Sequence, residues 1–251
     1  MNPNGNTILI TGGGSGIGRA LAEALHKQGN QVIIAGRRKA ALEEVTSANK
    51  GMRSIPLDIE NGDDFQRFIS EIKAEYPQLN VLINNAGIMK PEDLKTGLDT
   101  LPVAESTIET NLLGPLRLTA ALMPVLLAQP KATIMTVTSG LASVPLTATP
   151  TYCATKAAIH SWTQSLRYQL RDTSVEVLEI APPYVQTELM GAHQATDPNA
   201  MPLAEYIAET MTVLADPPPS GEILVERVKM LRFAEKNGNY EQVFTMVNSR
   251  H

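Results

Sequence analysis

The segment Thr7-Ile-Leu-Ile-Thr-Gly-Gly-Gly-Ser-Gly-Ile-Gly18 places a short β-branched run directly before a glycine-rich turn. The run Thr7–Thr11 predicts a buried strand. The stretch Ile17–Gln28 carries Leu21 and Leu25 at helical spacing, and this pattern predicts a helix. The beginning of the chain is therefore predicted to form a strand, a tight turn and a helix, in that order.

The glycines of this turn, Gly12, Gly16 and Gly18, are spaced G-x-x-x-G-x-G. Glycine permits a positive φ and lets a pyrophosphate approach the backbone, and the following helix offers free N–H groups to such an anion. The residues predicted to bind the phosphates are Gly12, Gly14, Ser15, Gly16, Ile17 and Gly18. A tight turn without a ligand is the alternative, because the spacing differs from the G-x-G-x-x-G dinucleotide fingerprint.

The rest of the chain repeats this alternation of short β-branched runs and longer helical patterns. Further strands are predicted at Gln31–Ala35, Arg53–Asp58, Val81–Asn84, Thr133–Thr138 and Ser174–Ile180. Helices are predicted at Ala40–Ala48, Asp63–Glu75, Ile108–Ala128 and Tyr152–Arg171. Repeated β-α units of this kind predict an α/β fold of the Rossmann type. We expect a doubly wound parallel sheet of six to seven strands, with helices on both faces, in a single domain over residues 1–251.

Composition excludes several classes of protein. Of 251 residues, 43% are hydrophobic, which is typical of a globular chain. The net charge is −5 and no basic run occurs, so we expect no nucleic-acid partner. The single cysteine, Cys153, cannot form an intrachain disulfide. No signal-peptide pattern is present, and the apolar stretch Leu116–Leu127 is interrupted by Arg117 and Pro124, so we expect a cytoplasmic protein without a membrane span.

Two arginines, Arg37 and Arg38, follow the second predicted strand. In a dinucleotide-binding sheet this position faces the adenosine ribose, where an acidic residue would bind the 2′-hydroxyl and indicate NAD. The chain has no carboxylate there, and guanidinium groups suit a phosphate. The sequence therefore predicts NADP(H) over NAD(H), with Arg37 as the favoured contact. A solvated arginine pair is the alternative.

Tyr152 and Lys156 are four residues apart and share one face of a predicted helix, thirteen residues after Ser139. A phenol, with a pKa of about 10 in water, is a poor acid or base at neutral pH, but a nearby ammonium lowers that pKa. A serine hydroxyl from a separate segment can hold a carbonyl oxygen beside the phenol. The three residues predict a proton-transfer site for a carbonyl or an alcohol.

Pro115 lies four residues after Asn111 inside a predicted helix. Because proline has no N–H, the Asn111 carbonyl should leave the helical hydrogen-bond ladder and the helix should kink there. A freed carbonyl is an acceptor for a buried water. The alternative is a proline that is tolerated near the start of a helix.

With these motifs the chain resembles the short-chain dehydrogenase/reductase family, in its ordinary subclass of about this length. The matching residues are Thr11–Gly18, Asp58, Asn84-Asn-Ala-Gly87, Asn111, Ser139, Tyr152 and Lys156. The resemblance implies that Tyr152 is the general acid or base, and that Lys156 holds the nicotinamide ribose and lowers the pKa of Tyr152. It implies that Ser139 orients the substrate oxygen and that Asn111 holds a water in a proton relay.

The resemblance also implies cofactor contacts along the chain. Asp58 would contact the adenine amino group, and Thr187 the nicotinamide carboxamide. The other implied cofactor residues are Ile59, Asn85, Ala86, Gly87, Tyr152, Lys156, Pro182 and Val185.

The second half of the chain departs from the family's pattern. Pro182-Pro183 replaces the usual Pro-Gly, so the turn must differ or contain a cis peptide. Residues 188–214 are expected to cover the substrate, and their methionines and leucines indicate an apolar pocket without a fixed cation.

The C-terminal segment, residues 221–251, is atypical as well. A helix is predicted at Val225–Phe233 and a short strand at Val243–Val247. Because the usual last strand is altered, a homodimer built on the helices of Asn111 and Tyr152 is preferred over a tetramer.

The function expected from these features is NADP(H)-dependent hydride transfer between nicotinamide and the carbonyl or secondary alcohol of an apolar small molecule. A non-catalytic, nucleotide-sensing regulator on the same fold is the alternative. No metal is expected, because His26, His160, His193 and His251 show no metal-ligand spacing.

Overall fold

One parallel sheet carries the whole architecture in the computed structural model, which describes residues 2–249. Its strands are β1 (Thr7–Thr11), β2 (Gln31–Gly36), β3 (Arg53–Pro56), β4 (Val81–Asn84), β5 (Ala132–Val137), β6 (Val175–Ile180) and β7 (Glu222–Ile223). They lie in the order β3-β2-β1-β4-β5-β6-β7. The strand order reverses between β1 and β4, and ligands of open α/β sheets bind outside the carboxyl ends of the strands at such a point.

Helices cover both faces of this sheet. They are α1 (Gly16–Lys27), α2 (Lys39–Ala48), α3 (Gly62–Glu75), α4 (Leu101–Ile108), α5 (Gly114–Leu127), α6 (Pro150–Gln169), α7 (Leu203–Ala215), α8 (Lys229–Arg232) and α9 (Tyr240–Asn248). Successive strand residues point to opposite faces. Ile8 and Ile10 therefore pack with α1, α2 and α7, whereas Leu9 packs with α3, α5 and α6. The predicted doubly wound α/β fold is confirmed.

The stretch from Leu94 to Leu127 is helical except at Gly97, whose φ of 65° breaks the first part. Two 3₁₀ turns precede α4, and a π-helical turn, Glu109–Leu113, separates α4 from α5. By length and composition the stretch could cross a membrane, in contrast to the expectation from Leu116–Leu127 alone. Leu118, Leu122 and Leu126 nevertheless pack on the sheet, so α5 is a core helix of this fold.

The C-terminal segment differs from the prediction in one element. The predicted strand Val243–Val247 is wrong, because these residues belong to the helix α9. Val243 and Val247 are four apart, so they share a helical face and pack with Val144 and Leu231. Burial of that face outweighs the local β-propensity of the valines. The predicted helix at Val225–Phe233 is present as a 3₁₀ turn followed by α8, while residues 250 and 251 lie outside the described part.

Candidate active site

A cleft of about 490 Å³ runs along the carboxyl ends of the strands. Almost every residue predicted for the site lines it, although these residues come from all parts of the chain. The predicted residues in its wall are Gly12, Gly14, Ser15, Gly16, Ile17, Gly18, Arg37, Arg38, Ile59, Asn85, Ala86, Gly87, Ser139, Tyr152, Lys156, Pro182, Val185 and Thr187. Asp58 and Asn111 lie behind this wall.

The glycine turn is held in place by the end of β4. The Thr11 hydroxyl oxygen accepts hydrogen bonds from the backbone N–H groups of Asn85 (3.0 Å) and Ala86 (3.1 Å). The Asn85 side chain donates to the Thr11 carbonyl at 2.9 Å. Gly12 has a φ of 68°, and a Cβ there would lie 2.8 Å from Asn85 Nδ2. Only glycine fits this contact, which fixes the backbone of the turn against the strand beside it.

The phosphate-binding turn also faces the segment that covers the site. Gly16, at the start of α1, has a φ of 53°, and a Cβ there would meet Thr187 at 3.5 Å. The first turn of α1 directs its N–H groups into the cleft, as an anion requires. The backbone at Gly16 and the side chain of Thr187 thus face each other across the cleft wall.

At the adenosine end of the cleft the two arginines are held differently. Arg38 donates to the Ser15 hydroxyl oxygen at 2.6 Å and so reaches across to the glycine turn. Arg37 lies 3.6 Å from the Glu60 carboxylate. Both guanidinium groups are exposed, and both line the cleft. Arg38 is thus the arginine beside the phosphate-binding turn, whereas the sequence favoured Arg37.

Asp58 has a structural partner of its own. Its carboxylate accepts a hydrogen bond from the Glu60 N–H at 3.1 Å, and its own N–H donates to Asp64 at 2.7 Å. The carboxylate shapes the turn after β3. Its next neighbour, Ile59, is the residue that lines the cleft.

At the centre of the cleft, β5 and α6 bring Ser139 and Tyr152 together. Burial raises the pKa of the Tyr152 phenol, and its hydrogen bond with Ser139 acts in the opposite direction. The net shift is upward, so the expected lowering by Lys156 is contradicted. The reason is that desolvation of a fully buried phenol outweighs the other influences.

Lys156 is buried below Tyr152. Its Nζ donates to the Val137 carbonyl at 2.8 Å and lies 5.6 Å from the centroid of the Tyr152 ring. Burial lowers the pKa of Lys156 to about 8. The ammonium is therefore within reach of a proton exchange near neutral pH, which an ordinary lysine is not.

Asn111 lies within the π-helical turn that separates α4 from α5. The N–H of Gly114 bonds there to the Glu109 carbonyl, five residues earlier, so the regular ladder is interrupted just before Pro115. The Asn111 side chain accepts from the Ile88 N–H and donates to the Ile88 carbonyl, both at 2.8 Å. It fixes the loop after β4 beside Lys156.

The turn at Pro182-Pro183 contains only trans peptide bonds. Among residues 2–249 there is no cis peptide bond. The Pro182 carbonyl accepts from the Gly140 N–H at 2.9 Å, and this bond ties the turn after β6 to the segment that carries Ser139. The turn therefore supports the segment that carries Ser139 without a cis peptide bond.

The substrate side of the cleft is apolar around Tyr152. The phenol ring packs with Met89, Leu146 and Cys153, and Met190 closes over them. Cys153 is buried, and its thiol bridges to the N–H of Leu146 at 3.3 Å, so it holds the loop rather than facing the cleft. Lys90 also lines the cleft, but its side chain is exposed, so the expectation of a pocket without a fixed cation stays a prediction.

One histidine does pair with carboxylates in three dimensions. His160 Nδ1 lies 2.8 Å from Glu179, and Glu222 is close enough to complete a three-ligand set. Thr138 donates to Glu179 at 2.7 Å, and Arg232 donates to Glu222 at 2.6 Å. These groups already satisfy one another, and the sequence could not show it because the pairs are formed between separate elements.

Sequence reasoning missed several residues of the cleft. They are Ala35, Gly36, Leu42, Leu57, Ile88, Met89, Lys90, Thr110, Val137 and Thr138, and Glu188 and Gln194 were predicted only as part of the covering segment 188–214. Most of them lie at the end of a strand or in the loop that follows it, so the positions at strand ends were the available signal. Gln194 had no such signal, because it lies in a 3₁₀ turn of the covering segment.

Comparison with known sequences agrees with this geometry. The sequence model of the short chain dehydrogenase family matches residues 6–198. The chain is 42% identical over 253 residues to the uncharacterized oxidoreductase DltE of Bacillus subtilis (strain 168), covering 100% of this chain and 99% of that protein. It is 31% identical over 214 residues to an uncharacterized oxidoreductase of Staphylococcus aureus (strain USA300), covering 83% and 90%.

Solved structures share the fold. A short-chain dehydrogenase from Streptomyces avermitilis superposes with a TM-score of 0.82 at 22% identity, covering 97% of this chain and 96% of that one. A serine dehydrogenase complexed with NADP+ gives 0.76 at 26% identity, covering 86% and 92%. A relative from Burkholderia phymatum in complex with NAD gives 0.82 at 20% identity, covering 96% of each.

The chain belongs to the short-chain dehydrogenase/reductase family, as its motifs predicted, and is an oxidoreductase of that family.

Proposed function

We propose that this protein is an NADP(H)-dependent carbonyl reductase or secondary alcohol dehydrogenase that acts on an apolar small molecule. The observation that carries the proposal is the meeting of Ser139 and Tyr152 above the buried Lys156, in the same cleft as the glycine turn. When bound, the cofactor supplies the hydride. The protein orients the substrate and supplies a proton.

The roles of the side chains follow from their surroundings. The Tyr152 phenol forms a hydrogen bond with Ser139 beside the cleft, so a carbonyl oxygen bound there could contact both hydroxyl groups. Burial keeps the Tyr152 phenol protonated at neutral pH, and in carbonyl reduction its proton would pass to the strongly basic oxygen that forms when the carbonyl carbon accepts a hydride. Lys156 is positioned to return a proton, and Met89, Leu146 and Met190 exclude water around the reacting carbon.

The cofactor preference rests on the arginines. Arg38 lies against Ser15 of the glycine turn, and a guanidinium group beside that turn supports binding of a 2′-phosphate on the adenosine ribose. No carboxylate lines the cleft between Ala35 and Leu42. Similar structures have been solved with NADP+ and with NAD, so the choice of NADP(H) rests on the arginines.

The test is a spectrophotometric panel of ketones and aldehydes, with NADPH and NADH side by side, for the wild type and Tyr152→Phe. The wild type should prefer NADPH. The variant keeps the ring but lacks the proton, so kcat should fall roughly 10²- to 10⁴-fold while NADPH still binds.

Near wild-type turnover by Tyr152→Phe would show that another group moves the proton. Equal or faster rates with NADH would refute the role given to the arginines. NADPH binding by the wild type without turnover across the panel would favour the non-catalytic regulator instead.

We further propose a homodimer formed through α4, α5 and α6, because Leu101 and Ile108 leave apolar surface exposed on this helical run.

A further inference from the structure

The segment between β6 and α7, residues 181–202, closes one side of the cleft. Gln194 is the buried polar side chain of this segment, with 4% of its surface exposed, and it lines the cleft. A buried amide needs partners for both its oxygen and its nitrogen. The partners of Gln194 therefore show which parts of the segment it holds.

The Gln194 amide ties three points of the chain together. Its Nε2 donates to the Val185 carbonyl at 2.8 Å and to the Thr187 hydroxyl oxygen at 3.0 Å. Its Oε1 accepts from the Met190 N–H at 2.9 Å. Val185 and Thr187 line the cleft and Met190 follows the lining residue Leu189, so one side chain holds two residues of this wall in place.

These contacts also fix the polarity of the Thr187 hydroxyl. A threonine hydroxyl has two acceptor lone pairs and one proton to donate. The Thr187 oxygen accepts from Gln194 Nε2 and from the Leu189 N–H, the latter at 3.4 Å. Both acceptor directions are used, and the O–H is left to donate. Because Thr187 lines the cleft, its O–H can donate to an acceptor oxygen of a molecule bound there.

We propose that Gln194 is a positioning residue for the nicotinamide end of the cofactor. It sets Thr187 as a hydrogen-bond donor to the carboxamide oxygen and holds Val185 against the ring. This inference rests on the proposed function, since it requires a nicotinamide nucleotide in the cleft. It assigns Gln194 no contact with the substrate and no part in proton transfer.

The substitution Gln194→Glu replaces the amide donor with a second acceptor oxygen and keeps the length of the side chain. A carboxylate still accepts from the Met190 N–H, but it cannot donate to Val185 or Thr187. The Thr187 proton then turns toward the carboxylate, and its lone pairs face the carboxamide oxygen. Gln194→Met removes the donor without adding a charge and serves as a second variant.

Gln186→Glu is the matched control. Gln186 lies in the same segment and its Nε2 donates to the Asp197 carbonyl at 3.1 Å, but it does not line the cleft. The control therefore makes the same change of side chain, with the same loss of a donor to a backbone carbonyl. A merely structural effect on the segment should appear in both variants.

The experiment measures calorimetric affinities of NADP+ and of 2′,5′-ADP, which has the adenosine end but no nicotinamide. Gln194→Glu should weaken NADP+ roughly 10-fold and leave 2′,5′-ADP unchanged. Gln194→Met should lie between the wild type and Gln194→Glu. Gln186→Glu should change neither affinity, and the unfolding midpoints of the free variants verify that each one is folded.

Wild-type NADP+ affinity in Gln194→Glu, or equal weakening of both ligands, would overturn the inference. If the wild type instead takes NAD+, the NADP part of the proposed function fails, and the comparison is made with NAD+ and AMP, which differ in the same nicotinamide end. Binding of neither dinucleotide by the wild type would overturn both proposals.

Discussion

At the scale of single residues, burial sets the acid–base properties of the site. The sequence predicts a tyrosine made more acidic by a lysine one helical turn away. In the folded chain the phenol and the ammonium are both buried, so desolvation moves both groups toward their neutral forms. The Tyr152 phenol therefore holds its proton more tightly than a phenol in water, and the Lys156 ammonium releases its proton more readily than an ordinary lysine.

Lys156 should leave a signature in the pH dependence of stability. Its pKa is about 8 in the folded protein, against about 10.4 in an unfolded chain. Between these values the unfolded state binds more protons, so the free energy of unfolding rises with pH. Relative to Lys156→Met, the wild type should gain about 2 kcal/mol between pH 7 and pH 10, measured by urea unfolding.

Lys50→Met provides the comparison, because Lys50 is exposed and its removal should not alter the pH profile. Comparing each variant with the wild type cancels the contributions of Cys153 and the buried tyrosines, which titrate in both proteins. A difference between wild type and Lys156→Met that stays constant or shrinks with rising pH would contradict burial of the ammonium.

At the scale of elements, the helix α9 completes the substrate side of the site. Asn248 accepts from the Thr147 N–H at 2.7 Å and donates to the Pro145 carbonyl at 3.1 Å. Between these two residues lies Leu146, which packs on Tyr152 and is bonded to Cys153. The end of the chain thus fixes the loop that forms the apolar wall beside the phenol.

Loss of these bonds should affect the substrate and not the cofactor. Asn248→Ala should raise the KM for the best carbonyl substrate of the panel roughly 5- to 10-fold, because the loop loses two hydrogen bonds. The Kd of NADPH should stay unchanged, since α9 does not line the glycine turn. Steady-state kinetics and calorimetry measure the two quantities.

Gln242→Ala is the control on the same helix, because Gln242 is exposed. It should leave both constants unchanged. Equal weakening of NADPH and substrate by Asn248→Ala would mean that α9 stabilises the whole cleft, which would contradict a role confined to the substrate side.

At the scale of the whole molecule, the side chains of the cleft lie together at the carboxyl ends of the strands. β1, β4, β5 and β6 are neighbours, and each ends at the cleft with a residue or turn of the site. The helices α4, α5 and α6 lie on one side of this arrangement and present exposed apolar residues such as Leu101. The proposed homodimer would bury that surface.

Sedimentation velocity should therefore give a particle of about twice the chain mass of 27.1 kDa. Leu101→Asp places a charge on α4 and should shift the particle toward the monomer. Met230→Asp, on α8, changes a similarly exposed residue and should leave the dimer intact. A monomer or a tetramer of the wild type, or a dimer unaffected by Leu101→Asp, would refute this interface.

Local patterns in the sequence were enough to predict the fold and most of the residues that line the cleft. β-branched runs, helical periodicity and the glycines of residues 12–18 act over short distances along the chain. The sequence also predicted Ser139, Tyr152 and Lys156, because their residue types and their spacing are local properties.

Only the tertiary structure decided what depends on burial and on contacts between distant segments. Val243–Val247 became a helix because its apolar face packs on Val144. The pKa of Tyr152 moved up because the phenol is fully desolvated. Gln194 lies in a 3₁₀ turn that has no periodic sequence pattern, and its hydrogen bonds hold it in the wall of the cleft. The free energies of desolvation and of buried hydrogen bonds depend on where the rest of the chain lies, and the fold sets that position.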